Sequence, residues 1–200
     1  MRFLILLMVL SVVAWTHAEE SKLATLPDGR YEAVLTELTD EGIPFARLRD
    51  KKTKKSFDTD AHGYERNAEI EASWRPDSRV VALNFSAGRR THDTLLYSVK
   101  NGRITLIKLP DFVLNILGRQ GAITAKFKNS VVSFVKFLPD NQCLLFAHVE
   151  PDPSEQTSEK PSTDSTFQPT QVTDFDVTLR LNDSSQTDLV AVEPSKANSK

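Results

Sequence analysis

The stretch "DTDAHGYERNAE" (Asp58 to Glu69) holds the densest run of potential ligands in this chain. Asp58, Asp60, His62, Gly63 and Glu69 fall at positions 1, 3, 5, 6 and 12, the spacing by which a calcium loop wraps oxygen donors around an ion. Three features oppose that chemistry. His62 offers nitrogen where oxygen is wanted, and Glu65 stands where such loops carry an apolar residue. The flanks "KKTKKSF" and "IEASW" read as strands, not helices. The expectation is a solvated acidic loop and no metal site, with Asp58, Asp60 and Glu69 as the weak calcium candidates.

Other chemistries find less. His62, His92 and His148 include no pair at the spacing that puts two imidazoles on one helix face. No serine stands in a Gly-x-Ser-x-Gly elbow, and no glycine-rich loop could cradle a phosphate. Carboxylates abound in loops without the spacing of an acid/base pair. Cys143 lacks a nearby His or electropositive niche and reads as a small buried hydrophobe. No catalytic residue and no cofactor is expected. Two basic stretches remain, "RDKKTKK" (Arg49 to Lys55) and "GRRTHD" (Gly88 to Asp93). They read as charged hairpin ends that keep strand edges soluble, or as a patch for an anionic ligand, with Asp93 placed to pair with Arg90.

The elements that would position these residues are strands. Helical periodicity is scarce, while alternating and short apolar runs between turn residues abound. Strands are predicted near 30–38, 43–49, 53–58, 69–74, 79–86, 93–100, 103–109, 131–138, 142–149, 174–181 and 187–193. One short helix is expected in "PDFVLNILGRQG", capped by Asp111 and ended by Gly118.

A turn recurs between the strands. "ATLPDGRYEAV" (Ala24 to Val34), "SWRPDSRVVAL" (Ser73 to Leu83) and "KFLPDNQCLLF" (Lys136 to Phe146) each carry Pro-Asp, one small or polar residue, another polar residue and a largely apolar strand. Proline presets the dihedral that the second residue of a type I turn requires, and the Asp side chain bonds its own backbone. Gly29, Ser78 or Asn141 then takes a left-handed conformation. Each copy leads into a further hairpin, such as the one around Asn101-Gly102. Each unit is therefore about four strands, and the first lacks a clear opening strand. The prolines stand at 27, 76 and 139, spacings of 49 and 63 residues; the inequality fits loop insertions between strands, and periods of about 40–50 suggest propeller blades.

The unit resembles the Pro-Asp type β-propeller repeat, the TolB-like repeat of periplasmic propellers, whose pattern is an aromatic, one residue, "SPDG" and an apolar strand. Trp74, Pro76 and Asp77 match it, with Arg75 and Ser78 where Ser and Gly are usual. Phe137, Pro139 and Asp140 match less fully, and Pro27 and Asp28 lack the aromatic, having Thr25 instead. These residues are read as structural turns. The resemblance implies an all-β fold of repeated four-stranded antiparallel units, propeller-like, either partial or closed into six blades by a homodimer. A β-sandwich or barrel is the alternative.

The domain expected spans 19–193, with units at about 24–60, 69–110 and 131–193. A Pro/Ser/Thr/Glu-rich insertion at 151–171 cannot bury enough surface to order itself, and 194–200 reads as a tail. Residues 1–18, "MRFLILLMVLSVVAWTHA", read as a signal peptide cut near Ala18. A secreted or periplasmic protein without a stable membrane span follows. Its single mature cysteine rules out an internal disulfide framework. The sequons at Asn84 and Asn182 matter only in a glycosylating host.

The 25 basic and 27 acidic side chains leave a net charge of −2, which gives no global electrostatic case for nucleic acid or an anionic membrane. The function expected is a non-catalytic exported binding or scaffold module for a protein, peptide or glycan. An accessory subunit of an exported hydrolase and a small enzyme of unrecognised chemistry are the alternatives.

Overall fold

The computed structural model describes residues 20–37, 42–88, 91–112, 116, 127–151, 173–182 and 186–195. The expected signal peptide lies outside them, as do the insertion beyond Pro151, the tail beyond Ser195 and most of the expected helix.

Twelve strands among the described residues form three antiparallel meanders. The first comprises β1 (Ser21–Thr25), β2 (Tyr31–Glu37), β3 (Pro44–Asp50) and β4 (Ser56–His62). β5 (Ile70–Trp74), β6 (Val80–Gly88), β7 (Thr91–Lys100) and β8 (Arg103–Ile107) make the second. The third consists of β9 (Phe127–Leu138), β10 (Gln142–Pro151), β11 (Asp174–Leu181) and β12 (Thr187–Pro194). The protein is thus all-β, built from repeated four-stranded antiparallel units. A short parallel pairing, Thr91 with Ser130 and His92 with Val131, joins the second and third sheets at one corner. β12 and β5 end that joined sheet without meeting, so no barrel closes among the described residues.

Two expectations about strands need correction. The first unit does have an opening strand: β1 is short, carries Lys22 and is half exposed, so it shows almost no apolar pattern. The fourth strand runs over 56–62 rather than 53–58. Lys51 to Lys55 form the turn instead, with Lys54 left-handed at φ 59°. Asp50 accepts the N–H of Lys52 and Thr53 at 2.8 and 3.1 Å and so caps that turn. The buried face of β4 is made by Thr59 and Ala61, too small and polar to register as a hydrophobic alternation.

The sheets stack face to face, and the middle one is buried on both sides. Along β6, Val81, Leu83 and Phe85 pack with Ala33, Ala46, Leu48 and Ala61 of the first sheet. Val80 and Ala82 face the other way, toward Cys143, Leu145, Val177 and Leu179 of the third. This explains the unbroken apolar run: a strand covered on both faces cannot alternate. Phe112 and Ile116, from the segment expected to be helical, are buried in the same second core.

One polar residue interrupts the run. Asn84 points toward the third sheet, where its Nδ2 donates to the Phe134 carbonyl at 3.1 Å and its Oδ1 accepts the Phe134 N–H at 2.8 Å. The same N–H also donates to Thr94 Oγ1 at 2.9 Å, and the Thr94 hydroxyl reaches Asn84 Oδ1 at 2.7 Å. Beyond the corner where β7 and β9 pair directly, these two side chains replace the missing strand-to-strand bonds. Buried backbone groups need such partners. Asn84→Ala should cost about 2 kcal/mol by stranding the Phe134 carbonyl, read as a lower urea midpoint. A glycan on Asn84 Nδ2 would have to grow from the atom that meets the Phe134 carbonyl between the sheets, so the folded protein from a glycosylating host should show this asparagine unmodified by mass spectrometry.

Candidate ligand-binding cleft

In a four-stranded meander the first and third turns lie at one end. Here that end gathers all three Pro-Asp turns. In the first two, Pro27-Asp28 and Pro76-Asp77 occupy the turn centre, closed by Gly29 N–H to Leu26 O and Ser78 N–H to Arg75 O, both 2.9 Å. Asp28 Oδ1 accepts Arg30 N–H at 2.9 Å, and Asp77 Oδ1 accepts Arg79 N–H at 3.0 Å. Gly29 and Ser78 follow at φ 72° and 61°. The third turn departs from the expected type I geometry. Pro139 precedes the centre, and Asp140 and Asn141 both sit at φ 57°, a two-residue turn whose twist matches its hairpin. As a result Phe137 pairs with Cys143 while Trp74 pairs with Val81. The third copy is one residue shorter, and Cys143 corresponds to Val81 rather than Val80 by pairing.

The turns touch one another. Asp28 N–H donates to Ser78 Oγ at 3.3 Å, Arg75 Nη1 to Asn141 Oδ1 at 3.4 Å, and Leu181 N–H to Asn141 O at 2.7 Å. Between the ends of the second and third sheets they leave a cleft of about 880 Å³. Arg75, Arg79, Lys100 and Arg103 line it from two hairpin turns of the second sheet, with Asn141 and Asn182 opposite and no carboxylate among the lining residues. Val80, Ile107 and Leu181 form its floor.

Electrostatics there are one-sided. Arg75 is fixed by a bidentate pair to Asp77, both bonds 2.7 Å. Arg79 lies 4.0 Å from the same carboxylate, with 74% of its side chain exposed. Burial raises the pKa of Asp77, but the Arg75 bond, the Arg79 N–H and both guanidinium charges outweigh it and hold the carboxyl below its ordinary value. Asp50 behaves likewise: burial pushes it up, and the Thr53 and Lys52 N–H groups with Arg30 pull it lower on balance. The carboxylates Asp28, Asp50 and Asp77 are thus engaged in holding turns.

The calcium candidates do not converge. Asp58 and Asp60 lie on strand β4 rather than in the expected loop, and Asp58 pairs with Arg47. A bulge separates Arg47↔Asp58 from Phe45↔His62. Thr59 Oγ1 stitches it by donating to Ala46 O at 2.7 Å, and the Asp60 N–H it frees donates to Tyr97 Oη at 2.9 Å. Glu69 is exposed in the link before β5. No group of three or more His, Cys, Asp or Glu is placed to hold a metal among the described residues. The histidines are spread over three sheets: His62 stacks on Phe45, His92 lies on β7 and His148 Nδ1 meets Asp174 Oδ1 at 2.5 Å. Arg90 lies outside the described residues, so the pairing expected with Asp93 does too. Trp74 packs between the first two sheets with Leu26, Tyr31, Val99 and Ile104. Arg75 was legible only as a departure from the repeat pattern, and nothing local in the sequence joined it to Lys100 and Arg103.

The fold and cleft define a stack of three four-stranded β-meanders with a basic turn end. No family model matches the sequence, and no curated protein matches it either. Among solved structures, the chain is similar to the crystal structure of TolB from Acinetobacter baumannii, at 12% identity and a TM-score of 0.35. That match covers 89% of this chain and 33% of the other, so the chain spans about a third of that protein's length. No helix among the described residues is long and apolar enough to cross a membrane.

Two outcomes follow. Cys143 is wholly buried, and burial pushes its thiol up to about 12, opposed only in part by Arg75. It should resist a thiol reagent in the native protein at pH 8 and titrate fully in denaturant. Asp50 and Asp77, with folded pKa values lowered, contribute stability above the unfolded value of about 4 that is lost as pH falls through the folded value. The urea midpoint should hold from neutral pH to near 5 and fall below about 4. Asp77→Asn should start lower at neutral pH and converge on the wild type in acid.

Proposed function

We propose that this chain is an exported, non-catalytic binding module of propeller-like type that holds its ligand in the cleft at the turn end. The observation that carries this reading is the cleft itself. It is built by turns from separate strands on a rigid stack, with polar and cationic groups converging over an apolar floor. Such sites are where scaffold folds put recognition. Export is supported by the Arg-led apolar run of residues 1–18. The non-catalytic reading is supported by the sequence's lack of a nucleophile elbow or acid/base spacing.

Ser98 lines the cleft from β7, and Thr105 lies opposite it on β8. Peptide and glycan arrays probed with the purified protein should return ligands whose binding is abolished by Ser98→Trp, which fills the cleft without changing charge. Thr105→Trp, at an exposed position, serves if the first variant melts early. Retention of binding by both well-folded variants, or arrays that return no ligand, would overturn the reading.

A further inference from the structure

The cleft belongs to a longer basic surface. Lys51 N–H donates to Arg30 O at 2.9 Å, which sets the turn of Lys51, Lys52, Lys54 and Lys55 beside the first Pro-Asp turn. A methyl group placed on Gly102, between Lys100 and Arg103, would lie 3.9 Å from Arg30 Nη2, so the two turns are neighbours. A strip of cations therefore runs across the ends of the first two sheets and faces Asn141 and Asn182 of the third. Two carboxylates at this end are engaged, Asp50 by Arg30 and its own turn and Asp77 by Arg75. Lys100 and Arg103 have no ion-pair partner among the described residues.

We propose that this strip, anchored in the cleft, binds a segment of an acidic polysaccharide, its sulfate or carboxylate groups meeting Arg79, Arg103 and Lys100. The inference rests on the cleft being the binding site. A strip of this extent suits a polymer with repeated anionic groups better than a single small anion. No aromatic side chain lines the cleft, so it offers no platform for stacking nucleobases. Ser98, Thr105, Asn101, Asn141 and Asn182 stand between the cations. Their hydroxyls and amides both donate and accept, as a ligand carrying hydroxyls between its charges requires. The net charge of −2 makes attraction of a polyanion a local property of this end, not of the whole molecule.

A heparin-derived octasaccharide, titrated by calorimetry at physiological salt, should bind saturably. The double substitution Arg79→Glu with Arg103→Glu should weaken it about tenfold or more, while Lys22→Glu, at the far end of β1, should leave it unchanged. Thermal melts verify folding, and Lys100→Glu with Lys52→Glu provides a second double variant. No binding, or equal weakening by Lys22→Glu, overturns the proposal. So does equal affinity for oligo-deoxythymidine or poly-glutamate. If array ligands are lost with Ser98→Trp but kept by both charge-reversal pairs, the cleft remains the binding site and the acidic-polysaccharide proposal falls alone.

Discussion

Burial of the middle sheet on both faces is the constraint from which the rest of the fold follows. A strand so placed loses the freedom to carry polar side chains, and β6 obeys from Val80 to Leu83. Asn84 breaks the rule and therefore has to be satisfied in full. It spends both ends of its amide on one residue of β9, Phe134. An unpaired amide in that place would cost more than the bond returns, so it discriminates against other placements of the third sheet. The apolar faces supply the stacking energy, and this one amide fixes the register. Tyr97 plays a similar part on the opposite face. Its ring is buried, and its hydroxyl accepts the Asp60 N–H that the β4 bulge exposes.

Turn chemistry and site chemistry are coupled at the basic end. Asp28, Asp50 and Asp77 are drawn into their own backbone turns or onto neighbouring arginines. Those carboxylates hold the hairpins shut and are committed to Arg30 and Arg75 rather than to Lys100 and Arg103. A chain whose charges nearly cancel over its length thereby leaves cations at this end, Lys100 and Arg103, without an ion-pair partner among the described residues. Arg75 shows the coupling in a single residue. Asp77 fixes its guanidinium, which reaches across to Asn141 and lines the cleft wall.

Much of this was written locally and could be read. The left-handed residues Gly29, Ser78 and Asn141 follow from their types and from the Pro-Asp pairs before them. β2, β3 and β5 to β12 announce themselves by alternation or by apolar runs between turns. What escaped was set by distant partners. β1 is stabilised by pairing with β2 and not by its own pattern. β4 depends on a bulge stitched by Thr59, and small buried residues leave no hydrophobic period. The third turn was misread because Pro139 drew attention from Asp140-Asn141, the pair that makes the bend. The cleft was least legible of all. Its cations come from positions 75 to 103 and face Asn141 and Asn182 of another sheet, and no local pattern records that meeting.

The same physics bears on how a stack of three sheets can end. Each outer sheet must show one face to water or to a neighbour. On the first sheet Val34 lies beneath a ladder in which Asp58 and Glu20 hold Arg47, while Glu20 and Glu32 hold Arg49. On the third, the face of β10 opposite the core carries His148 against Asp174, with Leu144 and Phe146 only half covered. Terminal units of stacked repeats keep a polar outer face for this reason. Closing a ring through the first sheet would move five charged side chains out of water, and a buried ion pair seldom repays its desolvation. An open stack leaves them solvated, and its two-sided middle sheet already supplies the core that a closed propeller obtains from its circle.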